Sequence, residues 1–208
     1  MAMIIFAVFK DAQMINDIVF DLGGVVIGRD YARYGAELEE FAFLQGDRPF
    51  PDYWKRYDLG TASRDEVVDA IARENGLDTE AASEKLDRLM TLFNEFPDTA
   101  QLLEELADRN YGLYILSNMP VEFYDYITHF DVFRHFDGQV ISSREHLSKP
   151  DPRMFSILSN RYGLDPASTL FIDDKPSNTN IATALGFNTY TFKAGRKSCD
   201  DIRKILGM

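Results

Sequence analysis

One cysteine, Cys199, stands in 208 residues, so no disulfide can form within the chain and its stability must come from packing. That fits a reducing compartment, and a cytoplasmic location is expected. Histidine is equally scarce: His129, His135 and His146 show no paired spacing, which argues against a histidine-based metal centre. Long hydrophobic runs are missing too. The apolar stretch formed by the first nine residues is too short to span a bilayer and lacks the basic flank of a signal peptide. Basic residues are outnumbered, 22 against 34 acidic, and the formal charge of −12 argues against nucleic acid or an anionic membrane as a partner. An anionic substrate would therefore need a bound cation or a local cluster of Lys and Arg. Repeats and low-complexity segments are absent, and the length suits one core, with or without a smaller insertion. Oligomeric state is not legible.

What is present is organised around residues 16–26. Ile18-Val19-Phe20-Asp21 reads as a short buried strand ending on a carboxylate, and Gly23-Gly24 follow where the chain must turn sharply. Residues 30–94 then carry helical signals without a strand. A helix is expected at 33–44, an aromatic-rich segment at 50–57, a helix begun by the capping box Ser63-Arg64-Asp65-Glu66 and ended at Asn75-Gly76, and another at 79–93. Within that segment Tyr53, Trp54, Lys55 and Arg56 form an aromatic and basic group, suited to a subdomain core or to contact with a substrate. From Pro97 the strand and helix signals alternate. Strands are expected at 112–116, 138–141, 169–172 and 188–192, with helices at 97–109, 121–130, 152–162 and 177–185. Such alternation implies an α/β fold, a parallel sheet covered on both faces.

Three further strand ends carry polar chemistry. Ser117-Asn118 ends one strand, where a hydroxyl and an amide serve equally as a helix cap or as ligands for an anion. Lys149 lies in Ser148-Lys149-Pro150-Asp151-Pro152, immediately ahead of a helix. Asp173-Asp174 end the strand at 169–172, with Asn178 four residues on, and two adjacent acids there require an exposed turn or an added cation. With Asp21 on a neighbouring strand, three carboxylates would suit a hard ion such as Mg²⁺.

Taken in order, these motifs resemble the haloacid dehalogenase (HAD) superfamily over residues 16 to about 195. Asp21-Leu22-Gly23-Gly24-Val25 is similar to its first motif, Asp-x-Asp-Gly-[Thr/Val], with Gly23 in place of the second Asp. Ser117, Lys149 and Asp173-Asp174 resemble the second, third and fourth. The resemblance implies a Rossmann-like core at 15–29 and 95–208, a small helical cap at 30–94 and an extension at 1–14, which is expected to pack as an added strand or against a neighbour. It also implies a Mg²⁺-dependent phosphatase of small phosphomonoesters such as sugar phosphates. Asp21 would be the nucleophile, Lys149 the cation that orients it, and Ser117, Asn118 and Lys149 the phosphate-binding groups. Asp21, the Gly23 carbonyl, Asp174 and, directly or through water, Asp173 would hold the metal. Gly23 removes the usual acid and base. The alternatives are a catalytically impaired protein that binds a phosphorylated ligand, and a metal-independent haloacid dehalogenase.

Overall fold

The computed structural model describes residues 14–45 and 48–208, so the expected packing of residues 1–14 falls, except for Met14, outside the described residues. β1 (Asp17–Phe20) is the middle of a five-stranded sheet because its apolar residues have no solvent side: Ile18, Val19 and Phe20 are all fully buried. β2 (Ile27–Arg29) follows the Gly23-Gly24 turn. The chain then runs through α1 (Tyr31–Tyr34), a 3₁₀ stretch over Gly35–Leu44, α2 (Asp52–Asp58), α3 (Arg64–Asn75) and α4 (Thr79–Thr91) before β3 (Phe93–Glu95). Alternation resumes with α5 (Pro97–Asp108), β4 (Gly112–Ser117), α6 (Val121–Ile127), β5 (Gly138–Ile141), α7 (Ser142–Glu145) and α8 (Pro152–Tyr162). It ends with β6 (Thr169–Asp173), α9 (Pro176–Ala184), β7 (Asn188–Thr191) and α10 (Arg196–Ile205).

The main sheet has the order β5-β4-β1-β6-β7 with every pairing parallel. Strand alternation divides the core between its two faces. Ile18, Phe20, Ile115 and Ile172 pack with Leu102, Leu103 and Leu106 of α5 and Ile202 of α10, whereas Val19, Leu116, Val140 and Phe171 meet Met154, Phe155 and Leu158 of α8. Because all five strands run the same way, their carboxyl ends lie on one edge. The order also reverses beside β1, with β4 on one side and β6 on the other, the place where an open α/β sheet forms a crevice.

Between β2 and β3 the helices build their own apolar centre. Trp54 is 3 % exposed and meets the rings of Phe41, Phe43 and Tyr57 edge-on, at centroid distances of 6.0, 5.2 and 5.8 Å. Phe123 of α6 also touches Trp54 at 5.8 Å and Tyr57 at 6.1 Å, which ties these helices to the sheet's neighbours. The capping box forms with both of its hydrogen bonds, Glu66 N–H to Ser63 and Ser63 N–H to Glu66, and α3 ends on Gly76 in the left-handed conformation.

Three local expectations are corrected. The helix expected at 33–44 is a short α-turn followed by 3₁₀ geometry with a kink at Phe41, which lets Leu38 and Phe41 point inward together. The helix expected at 79–93 stops at Thr91, because Phe93–Glu95 pairs antiparallel with Ile27–Arg29. The C-terminal helix α10 buries Ser198, Cys199 and Ile202 and had no counterpart in the expected elements. Among the described residues no helix is long and apolar enough to cross a membrane.

Candidate active site at the strand ends

Asp21 leaves β1 at the crevice and is 7 % exposed. Its Oδ1 accepts three hydrogen bonds: from the Leu22 backbone N–H at 2.7 Å, the Ser117 hydroxyl at 2.8 Å and the Lys149 ammonium at 3.0 Å. Oδ2 receives none of these, so one oxygen is held while the other keeps its lone pairs for chemistry. Burial raises the Asp21 pKa, Lys149 works against that rise, and Asp173 adds to it.

Lys149 is placed by β4 rather than by its own loop. The Asn118 side chain accepts from the Lys149 backbone N–H at 2.8 Å and donates to its carbonyl at 2.9 Å, so both ends of the amide are spent on this one residue. Behind it, Asp151 caps α8 with Pro152 in the first turn. The Lys149 Nζ, buried, then bridges Asp21 Oδ1 and Asp173 Oδ2, the latter at 2.6 Å. Burial would lower its pKa, but the two carboxylates outweigh burial and hold it above the ordinary value.

Asp173 is fully buried and fully engaged. Besides Lys149 it accepts from the Lys175 backbone N–H at 2.8 Å and from Asn178 Nδ2 at 2.9 and 3.0 Å, one bond to each oxygen. Asp174 differs: its Oδ1 is buried without a hydrogen-bond partner among the described residues. Its pKa is raised to about 6, first by burial and then by Asp21 and Asp173. Oxygens of Asp21, Asp173 and Asp174 lie within 4.8 Å of one another. Gly24 makes room for them. It sits at φ +78°, and a Cβ there would lie 2.9 Å from Asp174 Oδ2. Three carboxylates against one ammonium leave the cluster two negative charges in excess, and an all-oxygen donor set with an orphaned buried oxygen fits a hard divalent cation.

The sequence model of the haloacid dehalogenase-like hydrolases matches residues 15–186, most of the chain. The chain belongs to that family. This HAD-like hydrolase is 25 % identical to D-ribitol-5-phosphate phosphatase of Bacteroides thetaiotaomicron, over 93 % of its own length and 99 % of the relative's. It superposes with a TM-score of 0.73 on the magnesium complex of a HAD family enzyme from the same species, 27 % identical and covering 87 % and 94 % of the two chains. It is also 24 % identical to acyl-CoA dehydrogenase family member 10 of Mus musculus over 91 % of its length, but spans only 19 % of that protein. Phosphatases and (S)-2-haloacid dehalogenases both occur among the relatives.

The fold of this HAD-like hydrolase thus brings Asp21, Ser117, Lys149, Asp173 and Asp174 together, with Gly23 in the turn between Asp21 and β2. Asn118 reaches Lys149. The Tyr53 to Arg56 group divides: Trp54 is core, while Lys55 pairs with Asp52 and Arg56 with Glu66 at the surface. Two residues went unassigned on sequence. Asn178 orients Asp173, and its only signal was its place in the first turn after a strand that ends in acids. Asp58, at the end of α2, is one of many acids in the sequence and carries no motif.

Proposed function

We propose that the chain is a Mg²⁺-dependent phosphatase of small phosphomonoesters, sugar phosphates among them, working through an aspartyl-phosphate on Asp21 in the cytoplasm. The observation that carries the reading is the unequal treatment of the Asp21 carboxylate, with Oδ1 held by three donors and Oδ2 open. Oδ2 attacks phosphorus in line, the bond to the ester oxygen breaks, and water then attacks the phosphorus of the aspartyl-phosphate to release phosphate and restore Asp21. Lys149 keeps Asp21 in line and binds a phosphoryl oxygen, and the Ser117 hydroxyl, which donates to Asp21 Oδ1 before substrate enters, turns its one proton to a phosphoryl oxygen when the ester binds. Asn118 acts through its hold on Lys149. Asp21, Asp174, Asp173 and the Gly23 carbonyl would hold Mg²⁺, which supplies positive charge between the nucleophile and the phosphoryl oxygens. The helices between β2 and β3 act as the cap over the site.

A second reading has one observation in its favour. Gly23 and Gly24 offer no acid beside Asp21, so a protein that only binds a phosphorylated ligand would look the same at this turn. A metal-independent dehalogenase accounts poorly for Asp174, a buried carboxylate with an unpartnered oxygen. The test is phosphate release from sugar phosphates, nucleotides and an aryl phosphate, with and without Mg²⁺, for the wild type and Asp21→Asn. Release that requires both Mg²⁺ and Asp21 is expected. A folded protein that binds Mg²⁺ and releases no phosphate from any ester would favour the binding reading.

A further inference from the structure

Breaking a phosphate ester of an alcohol creates an alkoxide, a poor leaving group unless it receives a proton as it departs. The groups around Asp21 are badly suited to give one. The two residues after Leu22 are glycines, Lys149 is held in its charged form by two carboxylates, and the Ser117 hydroxyl already donates to Asp21. A different acid lies over the same edge of the sheet. Asp58, the last residue of α2, is 8 % exposed, and among the described residues its carboxylate has no hydrogen bond or ion pair. Its backbone is clamped to the strand ends. The Asp58 carbonyl accepts from the Ser142 hydroxyl just past β5, and that hydroxyl accepts from the N–H of Met119, two residues past Ser117. The Leu59 carbonyl meets His146 Nδ1 at 2.9 Å. Gly60, at φ +64°, lies so close to the Ser143 carbonyl that a Cβ would come within 2.2 Å of it.

From this anchor beside β5 the Asp58 carboxylate feels the charge of Lys175, which follows Asp174 at the end of β6. In the strand order, β4 with Ser117 and β1 with Asp21 lie between β5, beside which the Asp58 backbone is anchored, and β6, which Lys175 follows. Of the other ionic groups on elements packed around α2, Lys55 pairs with Asp52, Arg56 with Glu66, Arg64 with Asp87 and Glu122, Arg144 with Asp125 and Glu145 with Arg161, while Asp65, Asp69, Arg73 and Glu74 of α3 take part in none of these pairs.

We infer that Asp58 is the acid and base of the reaction, supplied by the helical insertion in place of a residue beside the nucleophile. This rests on the phosphatase reading above. As Asp21 Oδ2 bonds to phosphorus and the bond to the ester oxygen breaks, the Asp58 carboxyl passes its proton to that oxygen and the alcohol leaves neutral. The resulting carboxylate then takes a proton from the water that attacks the aspartyl-phosphate, so Asp58 ends the cycle protonated as it began. Burial pushes the Asp58 pKa up to about 7, with Lys175 opposing part of the rise, so the acid form is populated near neutral pH.

The test compares kcat/KM for an alkyl phosphate such as glycerol phosphate with that for p-nitrophenyl phosphate, whose leaving group needs no proton. Wild type, Asp58→Asn and Asp58→Glu are measured with Mg²⁺ from about pH 5 to about pH 9. The expected result is a fall of about 10²-fold or more on the alkyl ester in Asp58→Asn, against less than about tenfold on the aryl ester, with partial recovery in Asp58→Glu. The wild-type alkyl profile should drop as pH rises through about 7, and that limb should vanish in Asp58→Asn. Equal losses on both esters, or no loss on either, would overturn the assignment and leave Asp58 a structural group while the phosphatase reading stood. Wild type inactive on both esters would instead bring down the phosphatase reading, and this inference with it.

Discussion

Replacing Asp58 by Asn is expected to stabilise the folded chain above neutral pH. Burial holds this carboxyl up to about 7 in the folded state, against an ordinary value of 3.8 once the chain unfolds. The folded protein therefore keeps a proton over a range in which the unfolded chain has lost it. The stability this contributes is fully present below about pH 4 and is lost as pH rises through about 7. A gap of about three units, at about 1.4 kcal/mol each, amounts to about 4 kcal/mol. Against a total domain stability of roughly 5–15 kcal/mol, that is a large share to leave at one side chain. Asn has the shape of the neutral acid and never ionises, so it escapes the loss. Urea unfolding followed by circular dichroism at about pH 5 and about pH 8 spans two of the three units, and wild type should lose about 3 kcal/mol more than Asp58→Asn between them. Parallel losses in the two proteins, or a variant less stable at both pH values, would refute the reasoning. Parallel losses would mean that folding leaves the Asp58 carboxyl unshifted, and a variant less stable at both pH values that the carboxyl contributes contacts Asn cannot replace.

The glycines of the first turn provide two further expectations. Gly24→Ala should destabilise the fold by about 1 kcal/mol or more, since φ is +78° and the new Cβ meets Asp174. It should also shrink the rise in melting temperature that Mg²⁺ produces, a difference read by thermal unfolding with and without the ion. Gly23→Asp meets open space, nothing lying within 4 Å of its Cβ, so the fold should accept it. Placed in the Asp58→Asn protein it should raise turnover of an alkyl phosphate by about tenfold or more, measured as phosphate release.

The central strand, the capping box of α3, the proline-started helices and the chemistry at each strand end were all legible from residues adjacent in sequence. Each is a local event: an apolar run that stops at a carboxylate, a hydroxyl three residues before a Glu, a Pro where no N–H is needed. A parallel sheet then carries those strand ends to one edge, where Asp21, Ser117 and Asp173-Asp174 stand, whereas Lys149, in a loop well past β5, was named through the resemblance of the motifs to the HAD superfamily. The pairing of Phe93–Glu95 with Ile27–Arg29 was out of reach, because three residues carry too little periodicity to show a strand and their partner is far along the chain. The broken helix over 31–44 follows from the demand that Phe41 and Phe43 reach Trp54, a contact no local propensity encodes. The same holds for polar side chains. Asn118 turns to the Lys149 backbone, Asn178 to Asp173, and Asp58 loses its solvent when α2 is pinned to Ser142. Residue type and spacing set which groups stand at the strand ends. Burial and long-range hydrogen bonds, which exist only once the helices close over the sheet, set what each of those groups can do.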